Sequence, residues 1–253
     1  MADKIIKIFY KLFSRIKKRI FSLKQLISEF SSSTISTNVV EDNLITKEIA
    51  NNGFYQYKEL IDNNLLNELK KDFNKVMSNG DYTNEGQLKG RIHANGTLTK
   101  TLEKLGLKYI NDAKKFFNAE TKIELTYYQI SEPTNLIDNV PGGNFHVDDN
   151  KPNIKLFVYL TDVNENNGPF CVVPNTGSWK LKGSKLRAIF WEIFHIRFFL
   201  YNFLVDYSKY ESKKKLFTGI SGTHFLVDTT CLHKDTPVIE GLRHVAVVSF
   251  NKK

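Results

Sequence analysis

Cysteine is scarce in this chain. Its 253 residues include only Cys171 and Cys231, which do not form a Cys-x-x-Cys pair. That argues against a disulfide scaffold and a cysteine-built zinc site, and it points to a reducing compartment, the cytoplasm. Glycine-rich phosphate loops are missing too. Neither Gly-x-x-x-x-Gly-Lys-Ser/Thr nor Gly-x-Gly-x-x-Gly occurs, so nucleotide-binding folds gain no support. No Gly-x-Ser-x-Gly elbow is present for a serine hydrolase. There is also no long unbroken apolar run. The densest stretch, 188–205, is interrupted by Glu192, His195 and Arg197. Charges of this kind at mid-bilayer are costly, so a spanning helix is not expected.

What the chain does have is aromatic bulk and an uneven positive charge. Phe (19) and Tyr (11) favour β structure. The formal net charge is +9. Residues 1–30 carry eight basic against two acidic side chains, and residues 180–215 carry nine against three. Each segment is therefore +6, and the remainder of the chain is mildly acidic. Both basic segments are also apolar. Ile5, Ile6, Phe9, Phe13, Ile16, Ile20, Leu23 and Ile27 recur, after the first pair, at three- and four-residue steps, which predicts a basic amphipathic helix over 1–30. It lacks the continuous apolar core and small-residue cleavage site of a secretory leader. Such a helix fits an anionic membrane surface or packs on the protein's own body. The segment 179–221 reads as a helical, aromatic insertion: a lid, a dimer surface or a membrane-dipping element. Charge carried on apolar helices, not along a polar groove, argues against nucleic acid as a partner.

Between these segments the pattern is that of one α+β, mainly β domain. Residues 31–46, rich in Ser, Thr and Asn, read as a linker, and the domain is expected over 47–253. A helix is predicted over 62–77 from the stripe Leu65, Leu66, Leu69, Phe73 and Val76, with a second over 99–117. Strands are predicted near 122–130, 144–148, 154–161, 169–173, 223–228 and 243–250, and Arg91 and His93 read as loop residues. Helices followed by many short strands fit a double-stranded β-helix, jelly-roll or cupin-like, with helices backing one sheet.

The candidate site is carried by Phe145-His146-Val147-Asp148 and Cys231-Leu232-His233. Two imidazoles and one carboxylate are the donor set of the facial triad that holds non-haem Fe(II) and leaves the opposite face open. If 144–148 is a strand, His146 and Asp148 point to one side, and His233 must arrive from another strand. The competing reading is a hydrogen-bonded pair at a turn with an unrelated core histidine. The surroundings favour the metal. Pro141-Gly142-Gly143 precedes the pair. The apolar run from Ile154 leads to Asp162, Asn167-Gly168-Pro169 and a second run closed by Pro174. Arg243 follows His233 by ten residues at the start of the last strand.

This set resembles the phytanoyl-CoA dioxygenase family of Fe(II)/2-oxoglutarate oxygenases over about residues 122–250. The resemblance implies His146, Asp148 and His233 as iron ligands and catalytic residues, and Arg243 as the grip on the far carboxylate of 2-oxoglutarate. It further implies Phe157, Gln129 and Tyr127 as pocket residues, O2 as oxidant, and hydroxylation of a small organic substrate, and the basic aromatic segments point to an anionic or lipid-linked one at a membrane. The chain departs from the pattern twice. Pro174-Asn175-Thr176-Gly177-Ser178 replaces Pro-Gly-Ser-His, and Asp235 stands where many members carry a small hydroxyl residue. Two rival classes stay open: a non-catalytic barrel that binds metal or 2-oxoglutarate, and a membrane-surface binding or assembly protein. The oligomeric state is not legible.

Overall fold

A computed structural model describes residues 44–80, 82–84, 91–94, 99–133, 145–148, 153–177 and 208–253. The expected helix over 1–30, the linker as far as 43 and the insertion from 179 to 207 lie outside these residues.

Three helices precede most of the β structure. Helix α1 (Leu44–Asn52) begins inside the stretch whose composition reads as linker; its sequence buries only Thr46 and Ile49, too thin a stripe to signal a helix. Helix α2 (Asn63–Ser78) follows its predicted stripe, with Leu65, Leu66, Leu69, Phe73 and Val76 all buried. Asp62 caps it by accepting hydrogen bonds from the Asn64 and Leu65 amides, both at 3.1 Å. Helix α3 (Lys100–Phe117) is capped by Thr99, whose Oγ1 accepts from Leu102 N at 3.1 Å, and ends on Asn118 in the left-handed conformation.

The strands are β1 (Phe54–Gln56), β2 (Tyr82–Asn84), β3 (Arg91–Ala94), β4 (Thr121–Ser131), β5 (Ile154–Tyr159), β6 (Phe170–Val172), β7 (Lys215–Phe217), β8 (His224–Asp228), β9 (His233–Asp235) and β10 (Arg243–Lys252). Among the described residues they form a seven-stranded sheet, β1-β8-β5-β10-β4-β3-β2, and a three-stranded sheet, β7-β6-β9. Every neighbouring pair is antiparallel.

Register decides which residues face the site. Val247 lies opposite Tyr127 on one side and Phe157 on the other, and Phe157 lies opposite Phe225. Directly opposed residues share a face. Phe157, Phe225, Val245 and Val247 therefore turn together onto Phe170, Val172 and Phe217 of the smaller sheet. The alternate residues Tyr128, Ala246, Val248, Leu156 and Leu226 turn the other way and bury α2 and α3. The result is the expected mainly β, α+β architecture: a double-stranded β-helix whose large sheet is backed by helices.

Several local expectations need correction. Residues 145–148 form no ladder strand; His146 alone bridges to His233. Arg91 and His93 stand on a strand rather than a loop, at the backbone positions opposite Ser131 and Gln129 of β4. The last part of the 179–221 segment is not decoration, because it supplies helix α4 (Ser208–Glu211) and strand β7 of the smaller sheet. Among the described residues no helix is long and apolar enough to cross a membrane.

One buried histidine lies on the helix side of the large sheet. His224 is 3% exposed. It stacks on Tyr57 with ring centroids 4.4 Å apart, and its Nε2 lies 2.9 Å from Tyr109 Oη. Burial pushes its pKa down from 6.5 to about 4, with Lys108 adding to the effect and the Gly222 carbonyl opposing it. The neutral ring is favoured when folded, so this stability is complete above about pH 6.5 and drains away as the pH falls toward 4. The loss amounts to about 3 kcal/mol. Urea unfolding across this range should show the decline, and His224→Gln should flatten it.

Candidate metal centre

The two histidines are brought together by backbone first. His146 N donates to His233 O and His233 N donates to His146 O, both at 3.0 Å. This one antiparallel bridge sets the imidazole rings with centroids 4.4 Å apart. Asp148 is fixed by a separate bond, its amide donating to Thr229 O at 3.1 Å. One ligand atom from each of His146, Asp148 and His233 lies within 4.8 Å of the others. Asp148 Oδ1 stands 3.4 Å from His233 Nε2 and 3.7 Å from His146 Nε2.

The donor chemistry fits a divalent cation. His233 is buried, and its Nδ1 lies 2.9 Å from the carbonyl of Cys231. A proton on Nδ1 makes that hydrogen bond and leaves the Nε2 lone pair toward Asp148, the second-sphere arrangement typical of a metal-bound imidazole. Lone pairs and a carboxylate oxygen then converge on one point, and only a cation, a proton or a metal ion, relieves their repulsion. Two nitrogens and one oxygen are the set suited to non-haem Fe(II).

Lys155 completes the centre and was not singled out from sequence. Its Nζ lies 2.7 Å from Asp148 Oδ2, the carboxylate oxygen turned away from the histidines. The lysine therefore occupies one oxygen and leaves the other for the shared point. Burial alone would raise the Asp148 pKa; when no metal is bound, a proton held between it and His233, together with the Lys155 ammonium, outweighs burial and holds the carboxyl well below the usual range. The signal was present: Lys155 is the one charged residue in the otherwise apolar strand Ile154–Tyr159, and it alternates in phase with Phe157.

Arg243 starts β10 and is 2% exposed. Its Nη2 donates to Asp235 Oδ1 at 2.9 Å and to Ser131 Oγ at 3.0 Å, and its Nη1 donates to the Gly168 carbonyl. Gly168 itself is at φ +71, and a Cβ there would come within 2.8 Å of the Thr236 carbonyl oxygen. Only glycine presents that carbonyl to the guanidinium without strain. Asp235 lies two residues beyond His233 on β9, so one short strand carries both a triad histidine and the ion-pair partner of Arg243.

The remaining predicted residues lie on the same face. Gln129 is buried and donates to Ser131 Oγ at 3.2 Å, which makes Ser131 the link between glutamine and arginine. Phe157 meets Phe170 with ring centroids 4.5 Å apart, and Phe170 stacks on His233 at 5.5 Å. Phe157 is thus a wall one ring removed from the triad. Tyr127 packs against this cluster and bears electrostatically on both Lys155 and Arg243. Cys171 is buried and its thiol is pushed up to about 11 by desolvation, which removes it from nucleophilic chemistry. On the other side of His146, Lys234 lies 4.5 Å over the Phe145 ring and pairs with Glu211 of α4, so the end of the 179–221 segment is tied to the site.

No protein-family model and no curated protein matches the chain. Solved structures do. HygX from Streptomyces hygroscopicus, with nickel, 2-oxoglutarate and hygromycin B bound, superposes with a TM-score of 0.57 at 14% identity, over 83% of this chain and 86% of that one. The non-haem α-ketoglutarate-dependent epimerase SnoN from nogalamycin biosynthesis gives 0.62 at 10% identity, over 82% and 79%. EctD from S. alaskensis, with bound Fe, gives 0.53 at 15%, over 82% and 75%. At these identities the likeness speaks for the fold, and the fold is the cupin-like double-stranded β-helix of those proteins.

Proposed function

We propose that this chain is an Fe(II)/2-oxoglutarate-dependent dioxygenase that hydroxylates a small or lipid-linked organic substrate. One observation carries the reading: His146, Asp148 and His233 converge on one point of a double-stranded β-helix, and the buried Arg243 at the start of β10 pairs with Asp235, two residues beyond His233 on β9. Metal and 2-oxoglutarate in HygX, on the same fold, support it. The motif order over 122–250 supports kinship with the phytanoyl-CoA dioxygenase branch.

His146, Asp148 and His233 would hold the iron. When bound, iron(II) with 2-oxoglutarate and O2 supplies the oxidising chemistry that turns a C–H bond into C–OH, releasing CO2 and succinate. The chain's own residues bind, orient and shield. The Cys231 carbonyl fixes the His233 ring, and Lys155 confines Asp148 to one ligating oxygen. Arg243 offers positive charge to a far carboxylate, with Ser131 and Gln129 aligning it. Phe157, Phe170 and Phe225 form an apolar wall that keeps water from the reacting face. Residues 47–253 constitute the oxygenase domain in this reading. The basic apolar stretches at 1–30 and 180–215 support contact with an anionic membrane surface and a substrate delivered there.

Anaerobic titration of Fe(II) into the protein with 2-oxoglutarate present tests the assignment. A weak visible charge-transfer band that needs both components is expected. A folded protein that gives no band under saturating metal and 2-oxoglutarate would overturn it and favour a barrel that binds something else.

A further inference from the structure

Arg243 is already answered by an internal anion. Both hydrogens of its Nη2 have acceptors, Asp235 Oδ1 at 2.9 Å and Ser131 Oγ at 3.0 Å, and Nη1 is bonded to the Gly168 carbonyl. A guanidinium grips a carboxylate with two parallel N–H bonds along one of two edges, Nε with Nη2 or Nη1 with Nη2. Each edge includes Nη2. A second carboxylate therefore gains a two-point grip only by removing one of the present acceptors. Ser131 is neutral and fixed on β4 opposite Arg243 itself. Asp235 carries the like charge, ends the three-residue strand β9, and keeps 14% of its side chain exposed, which gives it a way out to water.

We infer that Asp235 is an internal competitor that latches Arg243 and must be displaced by the far carboxylate of the co-substrate. The inference rests on the reading of the site as a 2-oxoglutarate site and adds a property to it. The latch keeps the buried arginine neutralised when no ligand is bound. It also lowers affinity for 2-oxo acids that end in a carboxylate, relative to those that end in a methyl group. Asp235 acts through Arg243 and is a positioning residue in this sense.

Calorimetric titration of the Mn(II)-loaded full chain with 2-oxoglutarate and with 2-oxobutanoate tests it without turnover. Removing the latch by Asp235→Asn should tighten 2-oxoglutarate by on the order of tenfold and leave 2-oxobutanoate within about twofold, so the ratio of the two dissociation constants widens. Asp235→Ser should act in the same direction. If either variant is less stable without ligand, the latch predicts that 2-oxoglutarate raises its melting temperature more than it raises that of wild type. Weaker 2-oxoglutarate binding in both variants, or an unchanged ratio, overturns the latch and leaves Asp235 as a support that aims Arg243. Wild type and variants that bind Mn(II) but neither oxo acid overturn the co-substrate reading, and the latch with it.

Discussion

His233→Ala should abolish the metal centre while leaving the protein folded. The expected readout is loss of the charge-transfer band under anaerobic Fe(II) and 2-oxoglutarate, with Fe(II) affinity reduced by more than 100-fold. Losing only an outer-sphere partner of a metal ligand typically costs about 10- to 100-fold, so losing the ligand itself lies beyond that range. The fold should survive because the β9 bridge to His146 is made by backbone atoms, which alanine keeps. What disappears is a buried ring stacked on Phe170 and its hydrogen bond to Cys231 O. Circular dichroism and a melting curve decide whether the loss is local. A His233→Ala protein that still binds Fe(II) and 2-oxoglutarate as wild type does would remove the triad from the centre.

His233 and His146 show what sequence makes legible. A His-x-Asp pair and a distant His match the donor set a divalent ion requires, and such a requirement leaves a short pattern whatever the backbone does. The backbone did something other than expected: 145–148 is no strand, and Asp148 is placed by a single bond to Thr229. The helices at 63–78 and 100–117 were readable because their apolar stripes repeat over four or five turns. Strands β5, β8 and β10 were readable because both faces of each are buried, giving continuous apolar runs. Strands β7 and β9 were not readable as ladder partners. Lys-Leu-Phe and His-Lys-Asp have no β pattern of their own, and they are strands because β6 lies between them. Lys155 stands out in sequence as the one charge in an apolar strand and Asp235 as a departure from the expected hydroxyl, but the partners of both were hidden for a related reason. Each is notable for the atom it meets, Asp148 Oδ2 or Arg243 Nη2, and those meetings depend on registers that no local pattern encodes.

Arg243→Met separates the proposed grip on 2-oxoglutarate from the arginine's pairing with Asp235, and the expected effects are large in both. In the folded protein Arg243 is the counter-ion of Asp235, at 2.9 Å, in a place where the arginine is 2% exposed. Removing one member of a buried pair strands the other charge, which typically costs about 3–5 kcal/mol. For a domain of this size that corresponds to a fall in melting temperature on the order of 10 °C. Arg243→Met with Asp235→Asn should recover much of the loss, since the stranded carboxylate becomes a neutral amide beside Ser131 and the Gly168 carbonyl. Binding should not recover. A two-point, charge-assisted grip on a carboxylate is worth about 3 kcal/mol, or on the order of 100-fold in affinity, and both variants lack it. Dissociation constants for 2-oxoglutarate on the Mn(II)-loaded protein should thus rise together in the single and double variants, while 2-oxobutanoate binding changes little in the double variant. Stability that returns without affinity places the arginine's contact with the co-substrate apart from its structural pairing with Asp235. Affinity that returns along with stability would mean that Arg243 only supports the fold, and that the far carboxylate is held by another residue.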